Sequence, residues 1–153
     1  MADTVPWIRV CRDPESLRSS TSEGPVIGPL EVWKMLRSQA EQDDQEGFYV
    51  VALDTRYRAR GIQQVTKGLL TSTPVHPREV FRAALILGAK CVIVAHNHPA
   101  GSLRPSSADR EVTERLREAG DLLGVPVVDH VIVTESGYYS FAQHGELGGA
   151  GNF

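Results

Sequence analysis

Apolar positions along the chain recur in two rhythms, one helical and one extended. From Pro29 to about Gln42, Leu30, Trp33, Leu36 and Ala40 fall at near-helical spacing and predict a first helix. Pro29 suits its first position, where a helix leaves the N–H unpaired in any case. The polar run Glu41 to Gln45 ends it, and Phe48 to Leu53 follows as an unbroken apolar stretch, as in a strand buried on both faces. Thr55 to Arg58 predicts a turn and Ala59 to Lys67 a partly exposed strand, so the two strands form a hairpin. Pro77 opens a second helix with Val80, Phe81, Ala84, Leu85 and Leu87 on its apolar face, and Gly88 is placed to close it. Cys91 to Ala95 predicts a buried strand that runs directly into His96. A loop holding Pro99, Gly101 and Pro105 leads to a long helix from about Ser106 to Leu123, with Val112, Leu116, Ala119 and Leu123 on one face. Gly124 and Pro126 stop it. Val127 to Val133 and Tyr138 to Phe141 read as two last strands around a turn at Ser136 and Gly137.

Strands alternating with helices predict an α/β layered fold in one domain, and hairpins at both ends make the sheet mixed, flanked by helices. The 153 residues suit a single core. Residues 1–28, with a Ser/Thr/Glu/Gly/Pro cluster from Glu15 to Pro29, read as an N-terminal arm, and 29–147 as the domain. The Gly-rich end from Gly145 onward reads as mobile, with 148–153 assigned to a flexible tail. No internal repeat or heptad pattern is present.

Composition adds exclusions. With 41% hydrophobic and 23% charged residues the chain matches an ordinary soluble protein and not a disordered one. No run approaches the ~20 apolar residues that cross a bilayer, and the first residues lack the layout of a signal peptide, so a cytoplasmic chain without membrane contact is expected. Cys11 and Cys91 are too few for a disulfide framework, and Cys91 reads as a buried reduced thiol. The net charge of −3 offers no strong field for nucleic acid. Locally the balance differs: Arg56, Arg58, Arg60, Lys67, Arg78 and Arg82 stand against Glu79 alone, +5 over 55–82 and −8 elsewhere. A solvated basic face is the plain reading, and a groove for an acidic partner the other.

The candidate chemistry begins at His96-Asn97-His98, at the carboxyl end of the most apolar strand, where α/β sheets tend to place ligands. Side chains two apart on an extended segment point the same way, so both imidazoles can converge on one point. Two neutral imidazoles suit zinc, whose catalytic sites take three protein ligands and leave a fourth position for water. Eleven residues after His98, Asp109 stands in the first turn of the helix opening at Ser106, and the Pro/Gly loop can fold that turn over the strand end. A carboxylate there completes a His2Asp set, in which zinc lowers the pKa of water from 15.7 to ~7. Each residue also has a plainer reading. A strand-end histidine is ordinary polar surface, and Ser106 with Asp109 matches a capping box. The two readings of Asp109 are compatible, because a capped helix start is a rigid support for a ligand.

Taken together, His96-x-His98, seven residues, Ser106, two residues and Asp109 match the JAMM/MPN+ metalloprotease pattern residue for residue. The resemblance narrows at Val75-His76-Pro77-Arg78-Glu79-Val80-Phe81, Ala95-His96-Asn97-His98-Pro99 and Asp129-His130, which look like the JAB domain of the RadC family, over about residues 46–147. That resemblance implies a JAB/MPN-like fold and one zinc per chain on His96, His98 and Asp109. It implies Glu46, just before the first core strand, as general base, Ser106 as the hydroxyl that steadies an oxyanion, and hydrolysis of a peptide, isopeptide or other amide. Glu41, Asp43 and Asp44 lie in the same acidic run as Glu46. The sequence departs from the family at Ala100-Gly101, where Ser-Gly is usual, and the usual N-terminal helix-hairpin-helix region, the part most suggestive of DNA contact, is expected to be absent or reduced to about forty residues. Asp129 and His130 read either as groups supporting the ligating histidines or as a structural pair ending a strand. His76 reads as a helix-start residue.

Two other readings compete. One is a non-catalytic interaction module using the basic 55–82 segment, although related scaffold domains have usually lost zinc ligands that are retained here. The other is a DNA-repair accessory protein or nuclease. The adjacent letters His-Asn-His resemble HNH nucleases only verbally, since there the residues are spread along a ββα unit. The H-x-E and P-C-x-x-C pattern of zinc deaminases is missing.

Overall fold

The computed structural model describes residues 24–148 except 27, 43 and 71–73. Most of the arm expected over 1–28 and residues 149–153 of the expected tail therefore lie outside the described residues. Among the described residues, three helices and five strands follow in the order α1 (Pro29–Gln42), β1 (Gly47–Leu53), β2 (Ala59–Lys67), α2 (Pro77–Leu87), β3 (Cys91–Asn97), α3 (Ser107–Leu123), β4 (Val127–Val133) and β5 (Tyr138–Ser140). They build a mixed α/β sheet in the order β2-β1-β3-β4-β5. β1 pairs antiparallel with β2 and β3, β4 antiparallel with β5, and β3 parallel with β4 across the α3 crossover.

The two central strands explain the layering. Every residue of β1 and β3 is buried, so each strand supplies a hydrophobic row to both faces. Phe48, Val50, Val92 and Val94 face α2 and α3, where they meet Phe81, Ala84 and Leu116. Tyr49, Val51, Leu53 and Ile93 face the other way, toward Val32 and Leu36 of α1. Trp33 ties α1 down, its indole N–H donating to the Thr134 carbonyl at 2.9 Å. The helices end as their glycines predict: Gly88 and Gly124 are left-handed caps at φ 62° and 69°.

Four expectations change. β3 runs two residues beyond Ala95, because His96 pairs with Phe48 and Ile132, and Asn97 with Val133. β5 stops at Ser140, since the chain turns at Phe141 and the Glu146 N–H returns to the Phe141 carbonyl at 2.9 Å. The Gly-rich end is not loose from Gly145, because Leu147 is buried in the core with Phe141. Within the expected arm, Val26 is fully buried against the α1 face and its N–H donates to the Tyr57 carbonyl at 2.7 Å. Of the basic residues over 55–82, all but the half-buried Arg60 are exposed. Arg78 and Arg82 both pair with Glu79.

Candidate metal centre

His96 lies at the end of β3, in the middle of the sheet, with Phe48 of β1 and Ile132 of β4 as its neighbours. Strand alternation puts it on the same face as Val92 and Val94, under α3, and its side chain is buried. His98 follows just past the strand, half-buried, with its N–H on the Val133 carbonyl at 3.0 Å. The chain then turns through Gly101, whose φ of 81° suits glycine and whose N–H bonds back to the His98 carbonyl at 3.0 Å. That turn presents the Ser102 carbonyl to His98 Nδ1 at 2.7 Å.

The loop delivers α3 with its N-terminus over the strand end. Ser106 and Asp109 form the expected capping box: the Asp109 N–H donates to Ser106 Oγ at 3.1 Å and the Ser106 N–H to Asp109 Oδ2 at 2.7 Å. The same buried carboxylate reaches both imidazoles, Oδ1 at 3.0 Å from His96 Nε2 and Oδ2 at 3.5 Å from His98 Nε2. Capping and convergence on the histidines are thus one arrangement. The two Nε2 atoms lie 2.8 Å apart, and one ligand atom from each of the three residues falls within 4.8 Å of the others.

The chemistry of these donors suits a cation. Ser102 O can only accept, so neutral His98 carries its proton on Nδ1 and leaves Nε2 bare. The His98 Nε2 lone pair stands beside the His96 Nε2 and the Asp109 carboxylate, a donor set that a shared cation would suit. Tetrahedral zinc, with bonds of about 2.0–2.2 Å to N and O, would space such donors about 3.3 Å apart, close to what is seen. Charge within the site follows the same logic. Burial opposes ionisation of Asp109, but the His96 and His98 rings, when protonated toward it, and the Ser106 N–H outweigh it and hold the carboxyl well below its usual range. For His98 burial favours the neutral ring, yet Asp109 and the Ser102 carbonyl outweigh it and raise its pKa.

Glu46 and Ser106 open on the same cavity of about 660 Å³ as His98 and Asp109, which Leu69, Leu70, Pro99 and Arg104 also line. Glu46 is half-buried, accepts from the Leu70 N–H at Oε2 (3.4 Å), and its carbonyl accepts from Gly68 (2.7 Å). Of its acidic neighbours, Asp44 lines the cavity too, Glu41 pairs with Arg37 at 2.8 Å, and Asp43 lies outside the described residues. His76 is the exposed N-cap of α2.

The Asp129-His130 pair divides. His130 Nε2 lies 2.8 Å from His96 Nδ1, whereas the Asp129 carboxylate turns away and accepts from Ser140 Oγ, the His130 N–H and the Ala142 N–H at 2.6, 2.7 and 3.0 Å. Asp129 therefore pins the turn after β5 and does not support the histidines. Burial raises its pKa against the pull of those bonds. Burial, with the neighbouring His96 second, pushes His130 well below the ordinary imidazole range.

Sequence reasoning passes over Asn97. Its side chain is buried and clamps the strand start that carries Glu46: Oδ1 accepts from the Gly47 N–H at 2.6 Å and Nδ2 donates to the Gln45 carbonyl at 3.0 Å. Its only signal in the sequence is its place between His96 and His98, on the opposite side of the strand.

A mixed sheet between helices, with two histidines at a central strand end and an aspartate from the next helix start, defines a JAB-type domain with a group able to bind a metal ion. The chain belongs to the RadC family: residues 27–146 match the RadC-like JAB domain. It is 47% identical over 124 residues to a UPF0758 protein of Rubrobacter xylanophilus, covering 80% of this chain and 54% of that protein. It is 48% identical over 104 residues to a UPF0758 protein of Thermotoga maritima, covering 68% and 47%, and 42% identical over 121 residues to one of Finegoldia magna, covering 79% and 54%. The chain spans about half the length of the curated relatives it matches.

Proposed function

We propose that the chain is a zinc-dependent hydrolase of amide bonds, a metallopeptidase or isopeptidase, with one zinc held by His96, His98 and Asp109. The observation that carries this reading is the convergence of those three donors, two of which line one cavity with the Glu46 carboxylate and the Ser106 hydroxyl. When bound, zinc supplies Lewis acidity, lowering the pKa of water to about 7 and polarising a carbonyl. Glu46, anchored by Asn97 and Gly68, takes the proton from the attacking water and hands it to the leaving amine. Ser106 accepts from Asp109 N–H at Oγ and so has its hydroxyl hydrogen left to steady the developing oxyanion. Leu69, Leu70 and Pro99 give the substrate an apolar wall.

The test is Glu46→Gln, which keeps the carboxylate's shape and removes its basicity. The variant retains about one zinc per chain and loses at least about 100-fold in turnover, the lower range for a general base. Used as bait, it retains the substrate that wild type releases. A zinc-loaded wild-type chain inert toward broad peptide, isopeptide and amide libraries would contradict the proposal.

A further inference from the structure

The His96 ring leads away from the candidate metal centre into a second imidazole that the proposed chemistry leaves idle. His130 is wholly buried, its ring stacked on Phe141 at 4.7 Å and edge-on to Phe48 at 5.6 Å between centroids. A polar ring among aromatic neighbours is costly unless its nitrogens are bonded. Both are: Nε2 lies 2.8 Å from His96 Nδ1, and Nδ1 lies 2.5 Å from Thr113 Oγ1. Thr113 Oγ1 in turn lies 2.5 Å from the backbone carbonyl oxygen of Asp109.

One proton arrangement satisfies this chain. A carbonyl oxygen only accepts, so the Thr113 hydroxyl donates to Asp109 O. Turned to His130 instead, it would leave two acceptor oxygens facing each other at that distance. His130 Nδ1 must then carry the proton and donate to Thr113. A neutral imidazole has one N–H, so His130 Nε2 is bare and accepts from His96 Nδ1–H. Neutral His96 then has a bare Nε2 toward Asp109 and His98.

We propose that His130 is a positioning residue: set by Thr113, it holds His96 in the tautomer protonated on Nδ1 and so keeps the His96 Nε2 lone pair on the metal centre. Its effect on metal affinity rests on reading His96 as a ligand, whereas the protonation site of His130 is a property of the chain with or without metal. A role in core filling alone would be met by phenylalanine, which matches the ring and its aromatic neighbours. The chain asks for more, because it needs an acceptor facing His96.

Two measurements test this. Nitrogen-15 NMR of the His130 side chain, with and without zinc, reads which ring nitrogen is protonated. Nδ1 is expected, and a proton on Nε2 would overturn the inference. Competition for zinc against a chromogenic chelator then compares variants. His130→Phe weakens zinc about 10- to 100-fold, the usual cost of losing a partner behind a ligating histidine. His130→Gln, whose side-chain carbonyl can accept from His96, recovers most of the loss, and Thr113→Val gives an intermediate one. A Phe variant that binds zinc as wild type does, or a Gln variant as weak as Phe, would overturn the proposal. Should His130→Phe fail to fold, the near-isosteric Thr113→Val and the wild-type NMR decide. A wild-type chain that takes up no zinc would sink the metal reading, while the protonation site of His130 would still judge this one.

Discussion

Asn97 and His130 act on the site from opposite sides of the sheet, one on the segment carrying Glu46 and the other on the His96 ring. Replacing Asn97 by alanine strands the buried Gly47 N–H, which costs about 1–3 kcal/mol for that group alone. Urea unfolding should therefore show Asn97→Ala destabilised by at least that amount, with turnover falling further than zinc content. His96, His98 and Asp109 were legible because strand alternation and a helix cap are local rules that bring them to one end of β3. Asn97 was not, because its partners, Gly47 at the start of β1 and Gln45 just before it, stand about fifty residues away. For His130 the obstacle is a register shift: Ile93 pairs with Asp129 although Val92 pairs with Val127, so β4 carries one extra residue. That bulge puts His130 on the same face as Val127, against simple alternation.

Among the elements, α3 does most to assemble the site, since its first turn holds Asp109 and its body packs on β4. Its N-cap is local chemistry, and Ser106→Ala should lower stability by ~1 kcal/mol in thermal or urea unfolding, apart from any loss of turnover. Its far end depends on close approach. A Cβ on Gly120 would lie 2.7 Å from the Val125 carbonyl oxygen and 3.1 Å from Phe81 Cζ. Gly120→Ala is thus expected to destabilise by about 1–3 kcal/mol, where an exposed helical glycine would gain from the change. The helices and central strands could be read from spacing and from Pro and Gly at their ends. The ends of β3 and β5 could not, because pairing with β1 and β4 and the turn at Phe141 decide where they stop.

For the molecule as a whole, two histidines give the metal-free chain a pH signature. The folded pKa of His130 lies below its ordinary value of 6.5, so below that pH the unfolded chain takes up a proton the folded chain cannot. Stability then falls with pH, by up to about 1.4 kcal/mol per unit. His98 works on the other side of 6.5: its folded pKa is raised, so its contribution is full below 6.5 and is lost as pH rises through the folded value. Urea unfolding from pH 5 to 8 should show both slopes, and His130→Gln should flatten the acid one. No helix among the described residues is long and apolar enough to cross a membrane, and the sheet order and the face each helix covers emerged only from the fold. Metal binding, and with it the proposed hydrolysis, depends on His96, His98 and Asp109 at the end of β3. Elemental analysis after zinc loading and dialysis tests them most directly: about one zinc per chain is expected in wild type and in Glu46→Gln, and almost none in His98→Ala or Asp109→Ala. A wild-type chain without zinc, or variants that keep it, would contradict the account.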